Sequence, residues 1–171
     1  PALYFDGNDN MGFSGSIISG TPDGFATFIY KLDADPPTAS ATAGPVLGDF
    51  GSDAAANHWP FTDGTIYDDF GTTARKTVGN PTPSLASFRL ISQHSAASDF
   101  VVIIDGVQFY STSTNTVGWS SAQTIGSSFF GSTIFLLGHV GLVIFAPLKP
   151  ASSLRKRIEH SAAYSFKLAC S

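Results

Sequence analysis

Residues 100–112, FVVIIDGVQFYST, decide the fold class. An apolar run meets Asp105-Gly106, the pair favoured where a type I′ turn needs positive φ at both central residues, and the chain then returns with Val107 and Phe109 expected on one face. This is an antiparallel hairpin. Upstream, 86–93 reads as a strand that HSAASD at 94–99 interrupts, and GFATFIYKL at 24–32 sets Phe25, Thr27 and Ile29 against Ala26, Phe28 and Tyr30. Aromatics on both faces place that strand near the centre of a covered sheet.

The pattern continues toward both ends. LYFDG at 3–7 reads as a first strand running into a turn, and FSGSII at 13–18 and VLGDFG at 46–51 read as further short strands. A short strand is expected between Trp119 and Ile125. The apolar stretch from 129 to 146 is interrupted by glycines, Ser132, Thr133 and His139, so it reads as two buried strands and not as a membrane span, which needs about 18 or more continuous apolar residues. Only 152–169 carries helical spacing, at Leu154, Ile158, Ala162, Ser165 and Leu168, with Ser152 or Ser153 as N-cap. Many short strands without an internal repeat imply an all-β, two-sheet antiparallel jelly-roll β-sandwich in one domain, 1–171, closed by that helix.

Composition narrows the function classes. Nine basic and thirteen acidic residues among 171 give a net charge of −4, and the one cluster of cations lies in the terminal helix, so nucleic acid is not an expected partner. A lone cysteine, Cys170, excludes an internal disulfide. The N-terminus lacks a charged segment followed by an apolar run, so no signal peptide is read, and Pro1 is expected to be a processed or excised end. Low charge with many aromatics favours homo-oligomers.

The candidate site lies in 57–79, NHWPFTDGTIYDDFGTTARKTVG, where aromatics, carboxylates and a basic pair alternate with turn residues. Such a stretch is either a recognition loop or a lid folded over its own sheet. His58, Trp59, Asp63, Tyr67, Asp68 and Arg75 are its candidate ligand- or partner-binding residues. His58 could instead pin the loop through Asp63, and Trp59 and Phe61 could tuck into the sandwich. No metal or catalytic set is expected: Glu159 is the sole glutamate, Asp68 and Asp69 are adjacent, and the histidines at 58, 94, 139 and 160 are scattered. His139 reads as a hydrogen-bonded core residue. An EF-hand at 6–17 fails at Met11 and Ile17.

Four stretches, LYFDGNDN at 3–10, GFATFIYKLD at 24–33, FVVIIDGVQFYSTSTNTVGW at 100–119 and GLVIFAPLKPASSLRKRIEHSAAY at 141–164, resemble the laminin-G-like, concanavalin A-like jelly-roll family. More narrowly, 58–81, HWPFTDGTIYDDFGTTARKTVGNP, resembles a segment of members found in tailed-phage virion proteins. Leu154, Arg157, Ile158, Glu159, Tyr164 and Lys167 follow the family's closing helix, without its tryptophan-glycine ending. The resemblance implies a non-enzymatic virion accessory protein, a capsid decoration, tail fibre or spike domain at the virion surface, with capsid or tail partners and recognition of host glycans. The alternatives are a secreted carbohydrate-binding module and, third, a polysaccharide-degrading enzyme. No cofactor is expected; calcium, which lectin-like sandwiches often hold, is the one exception that Asp63 or Asp68 with loop carbonyls could accommodate.

Overall fold

The computed structural model describes residues 1–13, 15–53, 55–128 and 134–168, with thirteen strands and one α-helix among them. Six strands form one antiparallel sheet in the order β1 (Leu3–Asp6), β13 (Leu137–Ala146), β3 (Asp23–Leu32), β7 (Arg89–Ala96), β8 (Asp99–Ile104) and β9 (Val107–Thr112). The expected aromatic strand is β3. It is flanked by β13 and β7, and its two rows of side chains enter different layers. Phe28, Tyr30 and Leu32 join the main core, whereas Ile29 packs under the helix. Alternation along a strand separates these rows, and both are buried from Phe25 to Tyr30, where the one polar residue, Thr27, donates its hydroxyl to the Ile91 carbonyl at 2.8 Å.

The opposing layer is broken into short pieces. β2 (Met11–Gly12), β10 (Thr124–Ile125) and β4 (Leu47–Gly48) form one small sheet. β5 (Ile66–Asp68) pairs with β6 (Lys76–Gly79), and β11 (Ser127–Ser128) with β12 (Ile134–Phe135). Leu47, Phe50, Trp59, Ile66, Phe70 and Ile125 from this layer share the main core with Phe28, Tyr30 and Phe100 of the large sheet. The architecture is a β-sandwich with a helix on the outer face of its larger sheet.

Several expectations change in detail. Among the described residues 13–18 is not a strand; Met11–Gly12 is, while Ile18 is buried and held by Gln123, whose side-chain oxygen accepts from the Ile17 amide at 2.7 Å. β7 runs through His94–Ala96 where a break was expected, because Ala97-Ser98 alone makes the turn, with Ser98 at φ 57°. In the β8–β9 hairpin Asp105 and Gly106 have φ 50° and 85°, as a type I′ turn requires. A bulge then follows: Ile103 pairs with Gln108 and Val102 with Tyr110, so Phe109 and Tyr110 both reach the core and Val107 is 61% exposed. Residues 129–133 of the expected apolar strands, Cys170 and Ala169 lie outside the described residues. β13 is mostly half-buried, and His139 sits against the Tyr4 ring at 4.8 Å, not in the core.

The helix, α1 (Ser152–Phe166), departs from expectation at both ends and in its buried face. Its N-cap is Ala151, which has no side-chain acceptor, and it stops at Lys167, in the left-handed region at φ 56°. Glu159, Ala162 and Ala163 are buried, whereas Leu154 is exposed. The Arg155 guanidinium donates to both Glu159 oxygens at 2.6 and 2.7 Å, which neutralises the carboxylate and lets a charged residue take an inward position. No helix among the described residues is long and apolar enough to cross a membrane.

Trp59 is the largest fully buried side chain and meets Phe28 and Tyr30 edge-on at 5.6 and 6.1 Å. Trp59→Ala is expected to lower stability by about 3–5 kcal/mol. Urea denaturation followed by tyrosine fluorescence and circular dichroism measures that loss, and a change below about 1 kcal/mol contradicts the packing role.

Candidate functional site

The segment 57–79 folds as an ordered flap whose inner side is core and whose outer edge forms a cleft. His58 and Tyr67 are paired through the backbone: the His58 amide donates to the Tyr67 carbonyl at 2.8 Å and the Tyr67 amide returns to His58 at 3.0 Å. Between them the chain turns at Asp63-Gly64. The Gly64 amide donates to the Phe61 carbonyl and the Phe61 amide to Thr65, both at 2.9 Å. This tight turn sets Phe61, Asp63 and Tyr67 on one rim. The far end is held by Gly71, at φ 60°, where any Cβ would stand within 2.2 Å of the Trp119 ring.

His58, Phe61, Asp63, Tyr67 and Arg75 line a cleft of about 260 Å³. The Arg75 guanidinium stacks over the Tyr67 ring, 4.8 Å from its centre. It also donates to the Ala56 carbonyl, while the Arg75 amide donates to Asp53. Asp63 accepts from the Thr65 amide at 2.8 Å and from the Tyr67 hydroxyl at 3.2 Å. The first of these bonds is the main reason its pKa is lowered, so it is ionised at neutral pH.

His58 faces the Phe61 ring at 4.6 Å, and its Nδ1 donates to the Ala43 carbonyl at 3.1 Å, which fixes the tautomer. Burial lowers the His58 pKa, so the ring is neutral at pH 7 and Nε2 is its acceptor. The expected link from His58 to Asp63 is replaced by this bond to Ala43.

The other two candidates lie elsewhere. Trp59 is 1% exposed and Asp68 is fully buried, so neither presents a surface to a ligand. Their role is to seat the flap. Phe61, read from the sequence as a residue that could tuck inward, is half-buried at the cleft instead. The signal for it was the Asp-Gly turn, which folds 61 back beside 58 once 58 and 67 pair.

Carboxylates behind the cleft are structural. The Phe70 amide donates to Asp68 at 3.2 Å, and the Asn57 side chain donates to Asp69 at 2.6 Å. Burial raises the Asp68 pKa to about 6 and raises that of Asp69 well above its usual range, with the neighbouring Asp68 charge adding to the latter. Among the described residues no three histidine, aspartate or glutamate side chains group as a metal set.

No family model matches the chain, and no curated protein matches it. Solved structures do. Domain 4 of the extracellular arabinanase AbnA from Geobacillus stearothermophilus, solved with arabinotriose, superposes with a TM-score of 0.60 at 11% identity, covering 84% of this chain and 69% of that one. Domains LG4-5 of mouse laminin alpha1 give 0.59 at 11% identity over 88% of this chain and 45% of theirs. The fold is a laminin-G-like jelly roll. Similar jelly-roll matches are the Trypanosoma rangeli sialidase (0.60, 15% identity, 82% of this chain but 23% of the enzyme) and the binding domain of Paraclostridial mosquitocidal protein 1 (0.58, 12%, 94% and 46%). This chain therefore spans about a quarter of the sialidase and under half of the laminin and toxin fragments.

The buried carboxylates generate a pH signature. Between about pH 4, where a free aspartate titrates, and pH 6, the folded state keeps the Asp68 proton that the unfolded chain gives up. Stability from this group is thus highest below pH 4 and falls as pH rises through 6. Asp68→Asn is expected to raise stability at about pH 7.5 by on the order of 2 to 3 kcal/mol, with the advantage vanishing near pH 4. Paired urea midpoints across that range check this; a pH-independent difference contradicts it.

Proposed function

We propose that this chain is a non-catalytic binding module that recognises a glycan through the His58–Tyr67 cleft. The observation that carries the reading is the Tyr67 ring, braced by Arg75 at 4.8 Å, beside Phe61 and the Asp63 carboxylate. Aromatic faces accept the C–H side of a sugar ring, while Asp63 and the Nε2 of His58 accept its hydroxyl protons. Drug-sized ligands occupy roughly 300–1,000 Å³. At about 260 Å³ the cleft suits a single sugar unit of a longer chain.

Hydrolysis of a glycan conventionally uses two carboxyl groups about 5–9.5 Å apart across the scissile bond. This cleft is lined by one, Asp63; Asp68 and Asp69 are buried, and Glu159 lies on α1 against Arg155. These placements support binding without turnover.

The resemblance of 58–81 to tailed-phage virion proteins supports display on a particle, as a decoration, fibre or spike domain with capsid or tail proteins as partners. A secreted binding module is the alternative setting for the same cleft. Mass spectrometry of purified source particles separates the two, since the virion setting requires the chain to be present in them.

A glycan array is expected to show binding that Tyr67→Ala weakens about tenfold or more, with the melting temperature little changed because Tyr67 is at the rim. Binding that survives Tyr67→Ala, or no binding by the folded wild-type chain, overturns the assignment.

A further inference from the structure

The opposite face of the large sheet carries a second constellation. The strand register aligns Phe25, His94, Val101 and Ser111 in one row across β3, β7, β8 and β9, and Ile103 beside Gln108 in the next. Directly opposed residues share a face. α1 covers Ile29 and Leu90 further along the same face. Past its first turn the sheet opens into a cleft of about 360 Å³, floored by Phe25, Val101 and Ile103 and walled by Lys149 and Arg155.

Hydrogen-bond donors dominate this cleft. Asp99 accepts from His94 Nε2 at 2.8 Å and from Lys149 at 2.5 Å on the same oxygen. Burial works against ionised Asp99, but these two bonds outweigh it and lower its pKa, so the carboxylate stays ionised and is paired with Lys149. Lys149 retains two N–H groups. Arg155 reaches Glu159 through Nη1, and among the described residues Nη2 and Nε meet no acceptor. The Ser111 hydroxyl accepts from Gln108 at 3.2 Å and keeps its own proton to donate. Two cations with spare donors above an apolar floor match a ligand that pairs anionic oxygens with a carbon ring.

We infer that this cleft is a second binding site and that it takes an acidic saccharide, its acid group on Lys149 and Arg155 and its ring over Val101 and Ile103. The site shares no residue with the His58–Tyr67 cleft and lies on the other face of β3, so the two assignments stand or fall separately.

The test is an amide chemical-shift titration of the whole chain with glucuronate, glucose 6-sulfate and methyl glucoside. Glucuronate or the sulfate is expected to shift amides of 94–111 and 149–155, with methyl glucoside about tenfold weaker or silent. Which acid binds tighter tells carboxylate from sulfate. Lys149→Met, at an exposed side chain, is expected to weaken the response about tenfold, and Tyr67→Ala to leave it unchanged. Arg155→Gln combined with Glu159→Gln, which leaves no lone buried charge, is expected to weaken it likewise. An equal response to methyl glucoside, shifts confined to 58–75, no shifts at all, or binding indifferent to both variants overturns the site.

Discussion

The insertion of one indole into the sandwich is the constraint on which the candidate site depends. Trp59 meets Phe28 and Tyr30 of the central strand, and everything from 57 to 79 is anchored around that contact. With the ring fixed inside, its neighbour His58 is held at the surface layer by Ala43, and the pairing of 58 with 67 brings Tyr67 to the rim. Phe70 completes the anchoring, packing on Trp119 at 5.3 Å and on Phe50 at 5.7 Å. A loop so tethered presents its outer residues with little conformational entropy left to lose on binding.

Charge is used sparingly, and where it is buried it is used for structure. Asp68 and Asp69 sit under the flap beside Asn57 and the Phe70 amide, and Glu159 is enclosed by Arg155. A carboxylate inside a protein costs several kcal/mol unless hydrogen-bonded or protonated. The raised pKa values of the two aspartates are the consequence. The two carboxylates that line the clefts, Asp63 and Asp99, lie near solvent, and partners lower the pKa of each.

Local patterns made the architecture legible. The Asp105-Gly106 turn and the two-faced β3 lie in contiguous residues whose period of two and turn chemistry need no tertiary knowledge. The breaks came where distant contacts overrule local preference. His94–Ala96 stays in strand because β3 and β8 pair with it on both sides, and Glu159 turns inward because Arg155 accompanies it. Of the candidate residues, His58, Asp63, Tyr67 and Arg75 meet in one cleft, since a short turn joins the first three. Asp68 was indistinguishable from them in sequence and Trp59 was readable either way, as burial depends on which side of the flap faces β3. The donor-rich cleft was invisible because it draws on β3, β7, β8, β9 and the start of α1, brought together only by strand register.

That register also has a temporal side. β3, the centre of the large sheet, borders β13, so residues 25–32 find their partners at 138–146, more than a hundred positions later in the chain. During synthesis the aromatics Phe25, Phe28 and Tyr30 leave the ribosome long before the strand that flanks them. Contacts of such sequence separation slow folding and leave apolar strands open to wrong pairings meanwhile. Until its last strand emerges β3 lacks one flanking partner, and a truncation that removes β13 leaves β3 as an edge and β1 with no strand to pair with.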